Sequence, residues 1–151
     1  MLKAVTQFSV FLVNKPGILS RLCDELAANK INLQALTLVD SVEHGVFRLV
    51  AEDPARVRTV LKSLNLPMTE TEVLSANLSN RPGAMSDLCA KLNSQHISIK
   101  YAYVTSGAVG GRTTGIFKVD NLKKALRVAE PRNARRQEKK VVRVRRATRQ
   151  K

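Results

Sequence analysis

The sequence predicts an α+β fold of two ferredoxin-like βαββαβ units with antiparallel sheets, the second lacking a clear final strand. Three observations carry that prediction. Residues 14–33 return as residues 80–99 after a shift of 66, with 8 identities in 20 positions, where chance would give about one or two. Each copy is preceded by apolar alternation and contains helical spacing. Each is then followed by two more strand-like runs and a second helical pattern, so the element order repeats as well as the residues.

The elements follow in order. Phe8, Val10 and Leu12 alternate with Gln7, Ser9 and Phe11, as expected of a half-buried strand, and Leu74, Ala76 and Leu78 take the same places in the second unit. Phe11, on the otherwise polar side, points to contact between the units. Leu19/Leu22/Cys23/Leu26 and Met85/Leu88/Cys89/Leu92 recur at i, i+3, i+4, i+7, the stripe of an amphipathic helix. Residues 31–39 and 97–105 read as strands, with 45–51 and 115–119 as their partners. Val57/Val60/Leu61/Leu64 and Leu122/Ala125/Leu126/Ala129 give the second helices. A short strand around residues 68–71 closes unit one. This is the split βαβ arrangement, with both helices of a unit on one face of its sheet. Units of about 65 residues are small to stand alone and gain by packing together. The expected division is 1–71 for the first domain, 72–130 for the second, and 131–151 for a basic C-terminal tail. That tail is read as disordered, or as supplying a late basic strand over 139–146.

The chain has 151 residues, 26 Lys+Arg and 12 Asp+Glu, for a formal charge of +14. Residues 131–151 hold ten basic side chains and one acid, while residues 1–130 hold sixteen and eleven. The charge therefore describes an appendage more than the repeat. Arg132, Arg135, Arg136, Lys139, Lys140 and the cations that follow can neutralise phosphates, so residues 132–151 are a candidate nucleic-acid contact. No aromatic interleaves them, which argues against base stacking. A solvated tail, or one docking on an acidic protein, is the alternative. No run approaches the roughly 20 apolar residues of a membrane span, and two cysteines make no disulfide framework. A cytoplasmic protein without membrane association is expected.

The repeated turn is Asn14-Lys15-Pro16-Gly17 and Asn80-Arg81-Pro82-Gly83. A proline at a helix start gives up no hydrogen bond, and a glycine beside it lets another group approach the backbone. Free N–H groups at the positive end of a helix dipole suit a carboxylate, and an asparagine side chain can hold an ammonium or a carboxylate oxygen. An α-amino acid carries both groups one carbon apart. The plainer alternative is that the asparagine caps the helix and Pro-Gly only turns the chain.

Elsewhere the chemistry is sparse. Cys23 and Cys89 fall on the buried helix faces and are read as core. His44 and His96 are read as surface residues, outside any nucleophile or general-base motif. The glycine-rich run 106–113 lacks the ending of a P-loop and joins two strands. Tyr101 and Tyr103, which feed it, share one face and line either the second turn or a sheet–sheet contact. With no acid/base pair, triad or metal set, no catalytic residue, metal or cofactor is expected and the chain is not read as an enzyme.

The pattern Phe8-Ser9-Val10-Phe11-Leu12-Val13-Asn14-Lys15-Pro16-Gly17-Ile18-Leu19 and its second copy resemble the opening strand, turn and helix of ACT domains. Lys30-Ile31-Asn32-Leu33-Gln34-Ala35-Leu36 is similar to the strand that follows in that family. The resemblance spans residues 5–129 in element order, and two units without an attached enzyme resemble the stand-alone tandem ACT proteins. It implies regulatory, non-catalytic binding of a small ligand, commonly an amino acid, at the first strand-to-helix loops and at domain or subunit interfaces. The ligand-binding candidates it implies in the first unit are Asn14, Lys15, Gly17, Ile18 and Leu19. In the second they are Asn80, Arg81, Gly83, Ala84 and Met85. It also implies a homodimer and an enzyme partner, for instance as the regulatory subunit of an amino-acid biosynthetic enzyme such as acetolactate synthase. The family often has aspartate where this chain has Asn14 and Asn80, which removes a charge that could pair with an amino group.

Overall fold

The computed structural model describes residues 1–39, 44–105 and 111–128. The element order is β1 (Leu2–Val13), α1 (Ile18–Ala28), β2 (Leu33–Val39), β3 (His44–Ala51), α2 (Pro54–Ser63), β4 (Met68–Ser79), α3 (Ala84–Asn93), β5 (Ile99–Val104), β6 (Arg112–Val119) and α4 (Leu122–Arg127). The strands form one antiparallel sheet in the order β2-β3-β1-β4-β6-β5. The expected α+β class and the βαββαβ-like units are both present.

The two longest strands, of 12 residues each, explain how the units join. The Met68 end of β4 pairs with Val10 of β1 and closes the sheet of unit one. The Leu2 end of β1 pairs with Ala76 of β4 and occupies the place beside β4 that a closing strand of unit two would take. Each strand thus opens its own unit and closes the other. The 66-residue shift maps Thr6 onto Glu72, and these two are Cα partners in the ladder, so an approximate two-fold axis passes between them. β4 runs unbroken across position 71/72, the expected boundary. The tail, expected to be disordered or to supply a late basic strand, and residues 106–110 of the glycine-rich run lie outside the described residues.

Strand alternation sorts the sheet's two faces. Even-numbered residues of β1 and β4 face the helices: Phe8, Val10 and Leu12 join Leu22, Leu26 and Leu61 in one core, and Leu74 and Ala76 join Leu88, Leu92 and Ala125 in another. Truncating any of these buried leucines to alanine removes several close-packed methyl groups, at about 2–5 kcal/mol each. Odd-numbered residues face the other way, and there Ala35, Val50, Val73 and Ile116 form a third, smaller core with Val5 and Tyr103 packed on it. That core exists because the sheet curls: β2, at one end of the strand order, comes into contact with β5 and β6 at the other. The contact expected from Phe11 is made by these residues instead, and Phe11 itself stays 40% exposed.

Helix ends are set by local chemistry that also repeats. Asp53 and Asn121 cap α2 and α4, each accepting from the backbone N–H three residues on. Pro54 takes the first helical position of α2, where no donor is needed. Lys30 and His96 follow α1 and α3 with φ of 55° and 53°, ending both helices in the left-handed region.

Candidate functional site

The strand-to-helix turns are near-identical in backbone. Gly17 and Gly83 are the N-cap residues of α1 and α3, both at φ 86° and ψ −14°. In each turn the residue after asparagine donates its N–H two residues back, from Lys15 to Val13 O and from Arg81 to Ser79 O, at 2.8 and 2.9 Å. The prolines lie two residues before the first helical position, not at it. A left-handed residue must intervene between the strand and the helix, and only glycine takes that conformation without strain. The N-cap positions belong to the glycines and not to the asparagines. A glycine N-cap brings no side-chain acceptor, and neither α1 nor α3 has a side-chain cap from that position.

Around the first turn is a pocket of about 220 Å³. Four of the five candidates, Asn14, Lys15, Ile18 and Leu19, line it, with Gly17 between them in the chain. Leu12, Val13, Leu38 and Gly45 complete the wall; these four were not singled out from the sequence. Leu38 and Gly45 reach the turn only through pairing of β2 and β3 with β1, notably Leu12 with Gly45. The lining is aliphatic except for Asn14 and Lys15. Among the described residues no carboxylate pairs with Lys15, which is exposed. An N-terminal helix turn beside a cation favours an anionic group, and the aliphatic wall favours an apolar body.

The second turn is arranged differently. Arg81 Nη2 donates to Asp87 Oδ2 at 2.6 Å, and Arg81 Nη1 donates to Pro82 O at 3.0 Å. Asp87 lies in the first turn of α3, where its charge already complements the dipole. The corresponding residue of the first unit is Arg21. Arg81 and Ala84 line a pocket of about 250 Å³ that runs toward Met1, Leu2 and Val128, whereas Asn80, Gly83 and Met85 do not line it.

Tyr101 and Tyr103 face neither turn. Both reach Gln7, fully buried on the curled side of β1: Gln7 Nε2 donates to Tyr101 Oη at 2.7 Å, and Tyr103 Oη donates to Gln7 Oε1 at 2.9 Å. Three strand spacings separate β5 from β1 along the sheet, roughly 14 Å, so only the curl brings them together. The Arg48 guanidinium stacks on the Tyr101 ring, 4.5 Å from its centroid. Burial, more than the neighbouring Tyr101 phenol, pushes the Tyr103 hydroxyl well above its ordinary range, so it stays a neutral donor. This is the sheet–sheet contact of the two sequence alternatives. Cys23 and Cys89 are free and half-buried. Among the described residues no three of His, Cys, Asp and Glu gather to hold a metal, and no helix is long and apolar enough to cross a membrane.

The family model described as the ACT domain pair matches residues 3–141. Among solved structures, a Bacteroides thetaiotaomicron protein shares 26% identity over 87% of this chain and 90% of its own, with a TM-score of 0.79. The regulatory subunit of aspartate kinase from Thermus thermophilus, in a ligand-free form, shares 15% over 85% and 92%, with a TM-score of 0.60. The corresponding Thermus flavus subunit shares 16% over 85% and 92%, at 0.55. No curated protein sequence matches the chain.

Proposed function

This chain belongs to the ACT domain pair family, and from that premise we propose that it is a non-catalytic regulatory module that binds an amino acid at a strand-to-helix turn. The observation that carries the reading is the pocket at the first turn. It sets the start of α1, the Asn14 amide and the Lys15 ammonium beside an aliphatic wall. A carboxylate is favoured by the helix dipole and the cation, and an α-amino group finds an acceptor in an amide oxygen. At about 220 Å³ the pocket lies below the size of drug-like sites, which suits a ligand of amino-acid size. The aspartate kinase regulatory subunits share the fold at 15–16% identity, and that likeness speaks for architecture alone. Binding at an edge of the shared sheet would alter how the module meets a second copy of itself or an enzyme of amino-acid metabolism.

A thermal-shift screen of the full chain against the twenty amino acids tests the reading, repeated without residues 131–151. The expected result is stabilisation by at least one amino acid in both forms, since a ligand of the folded state raises its melting temperature. No stabilisation, together with salt-sensitive nucleic-acid binding that vanishes on truncation, would overturn it in favour of the basic tail.

A further inference from the structure

The two turns share a backbone, but their pockets are lined differently, and one pair of positions accounts for part of the difference. In the ladders, Gly45 is the partner of Leu12 and Thr113 is the partner of Leu78, so Gly45 and Thr113 hold the same place in the two units. Both face the helices. Gly45 lines the open pocket of the first turn, and a Cβ added there would lie 3.4 Å from Leu38 Cδ1, another lining atom. Thr113 puts a β-branched side chain into the equivalent space, where it is only 8% exposed. Its Oγ1 is buried without a hydrogen-bond partner among the described residues. Such a hydroxyl is costly in a protein interior, so the threonine is poorly accounted for by stability alone. The electrostatics diverge in the same sense: Lys15 and Arg21 at the first turn correspond to Arg81 and Asp87 at the second, which pair with each other.

We propose that the two turns are unequal: the first binds one α-amino acid with an aliphatic side chain per chain, and at the second Thr113 fills the space beside the turn that Gly45 leaves open in the first. The proposal rests on the regulatory reading above and adds to it the ligand class, the stoichiometry and the residue that keeps the site open. The carboxylate lies toward the start of α1 and Lys15, and the side chain lies against Leu12, Ile18, Leu19 and Leu38. Among the described residues no acidic side chain lines the pocket to hold a basic ligand side chain, and their aliphatic wall gives a polar one no partner.

Calorimetric titration of the full chain with L-valine, L-leucine and L-isoleucine tests it, using wild type, Gly45→Thr, Gly45→Ala and Thr113→Gly. The expected result is one equivalent of at least one of the three in wild type, and a second, weaker equivalent in Thr113→Gly; no second equivalent in folded Thr113→Gly would overturn the role of Thr113. A tenfold or greater loss is expected in Gly45→Thr and a smaller loss in Gly45→Ala, with unchanged circular dichroism. Should Gly45→Thr fail to fold, Gly45→Ala carries the test. Two equivalents in wild type, or wild-type affinity in the folded Gly45 variants, would overturn the inequality while leaving the regulatory reading intact. Binding of a charged or polar amino acid in place of these three would overturn the ligand class alone. Silence from all twenty amino acids would overturn the regulatory reading and this proposal with it.

Discussion

Gly17 and Gly83 make the clearest case for a residue fixed by geometry. At φ 86° an L side chain meets its own carbonyl, and a Cβ at Gly17 would otherwise have open space, nothing lying within 4 Å. The penalty of Gly17→Ala is therefore backbone strain alone, about 1–2 kcal/mol, and Gly83→Ala should match it. Chemical denaturation checks both; a cost near zero would mean the turns relax. Another residue-scale contact is Glu70, whose carboxylate accepts from Arg58 Nε at 2.6 Å and Nη2 at 2.7 Å. That hydrogen bonding holds Glu70 below the usual carboxylate range. A depressed folded-state pKa contributes stability that is present above the unfolded value of about 4.3 and is lost as pH falls through the folded one. Glu70→Gln should thus lower stability slightly near neutrality, with the difference from wild type fading as pH falls through the folded-state pKa; both effects are small because an exposed pair contributes little. An NMR titration placing Glu70 at an ordinary carboxylate pKa would contradict this.

Among the elements, β1 and β4 carry the most consequence. The Leu2 end of β1 is chemically part of unit one and structurally the last strand of unit two, and Leu2 packs in the second core. Asn77 N–H also donates to Met1 O at 3.1 Å. Removing residues 1–5 should raise hydrogen exchange in β4 and α3 far more than in α1 and α2. Equal effects in both units would refute strand sharing. Local periodicity made the elements themselves legible: Leu22 and Leu26, or Phe8 and Val10, announce their face within a few residues. Strand sharing was not legible, because Leu2 and Ala4 read as weak alternation and their partner lies about seventy residues away. The Gly45–Thr113 difference was hidden for a related reason. The ladders relate Gly45 to Thr113 by a shift of 68 (113 − 45), so the 66-residue shift that aligns the turns misaligns these strands by two. Four of the first-turn candidates line a common pocket because they lie within six residues of sequence, 14–19; Leu38 and Gly45 come from paired strands that no local pattern connects.

At the scale of the whole molecule, one sheet joins the units and a polar contact fastens its curl. Gln7, Tyr101, Tyr103 and Arg48 come from three strands, and their meeting depends on curvature that composition does not encode. Gln7→Leu should leave both tyrosine hydroxyls without that partner and cost about 1–3 kcal/mol for each group left unsatisfied, read as a lower denaturation midpoint with an unchanged slope. A neutral effect would show that water replaces the amide. The formal charge of +14 bears little on this architecture, since the excess lies in residues 131–151 and the cores lie wholly before them. The central claim, that a small zwitterion seats at the first turn, is tested most directly by amide chemical-shift mapping during titration with L-leucine, L-isoleucine and L-valine. Saturable shifts at Lys15, Gly17, Ile18, Leu19 and Gly45, with Arg81, Gly83 and Ala84 unmoved, are predicted; shifts centred on the second turn, or none in either, would contradict it.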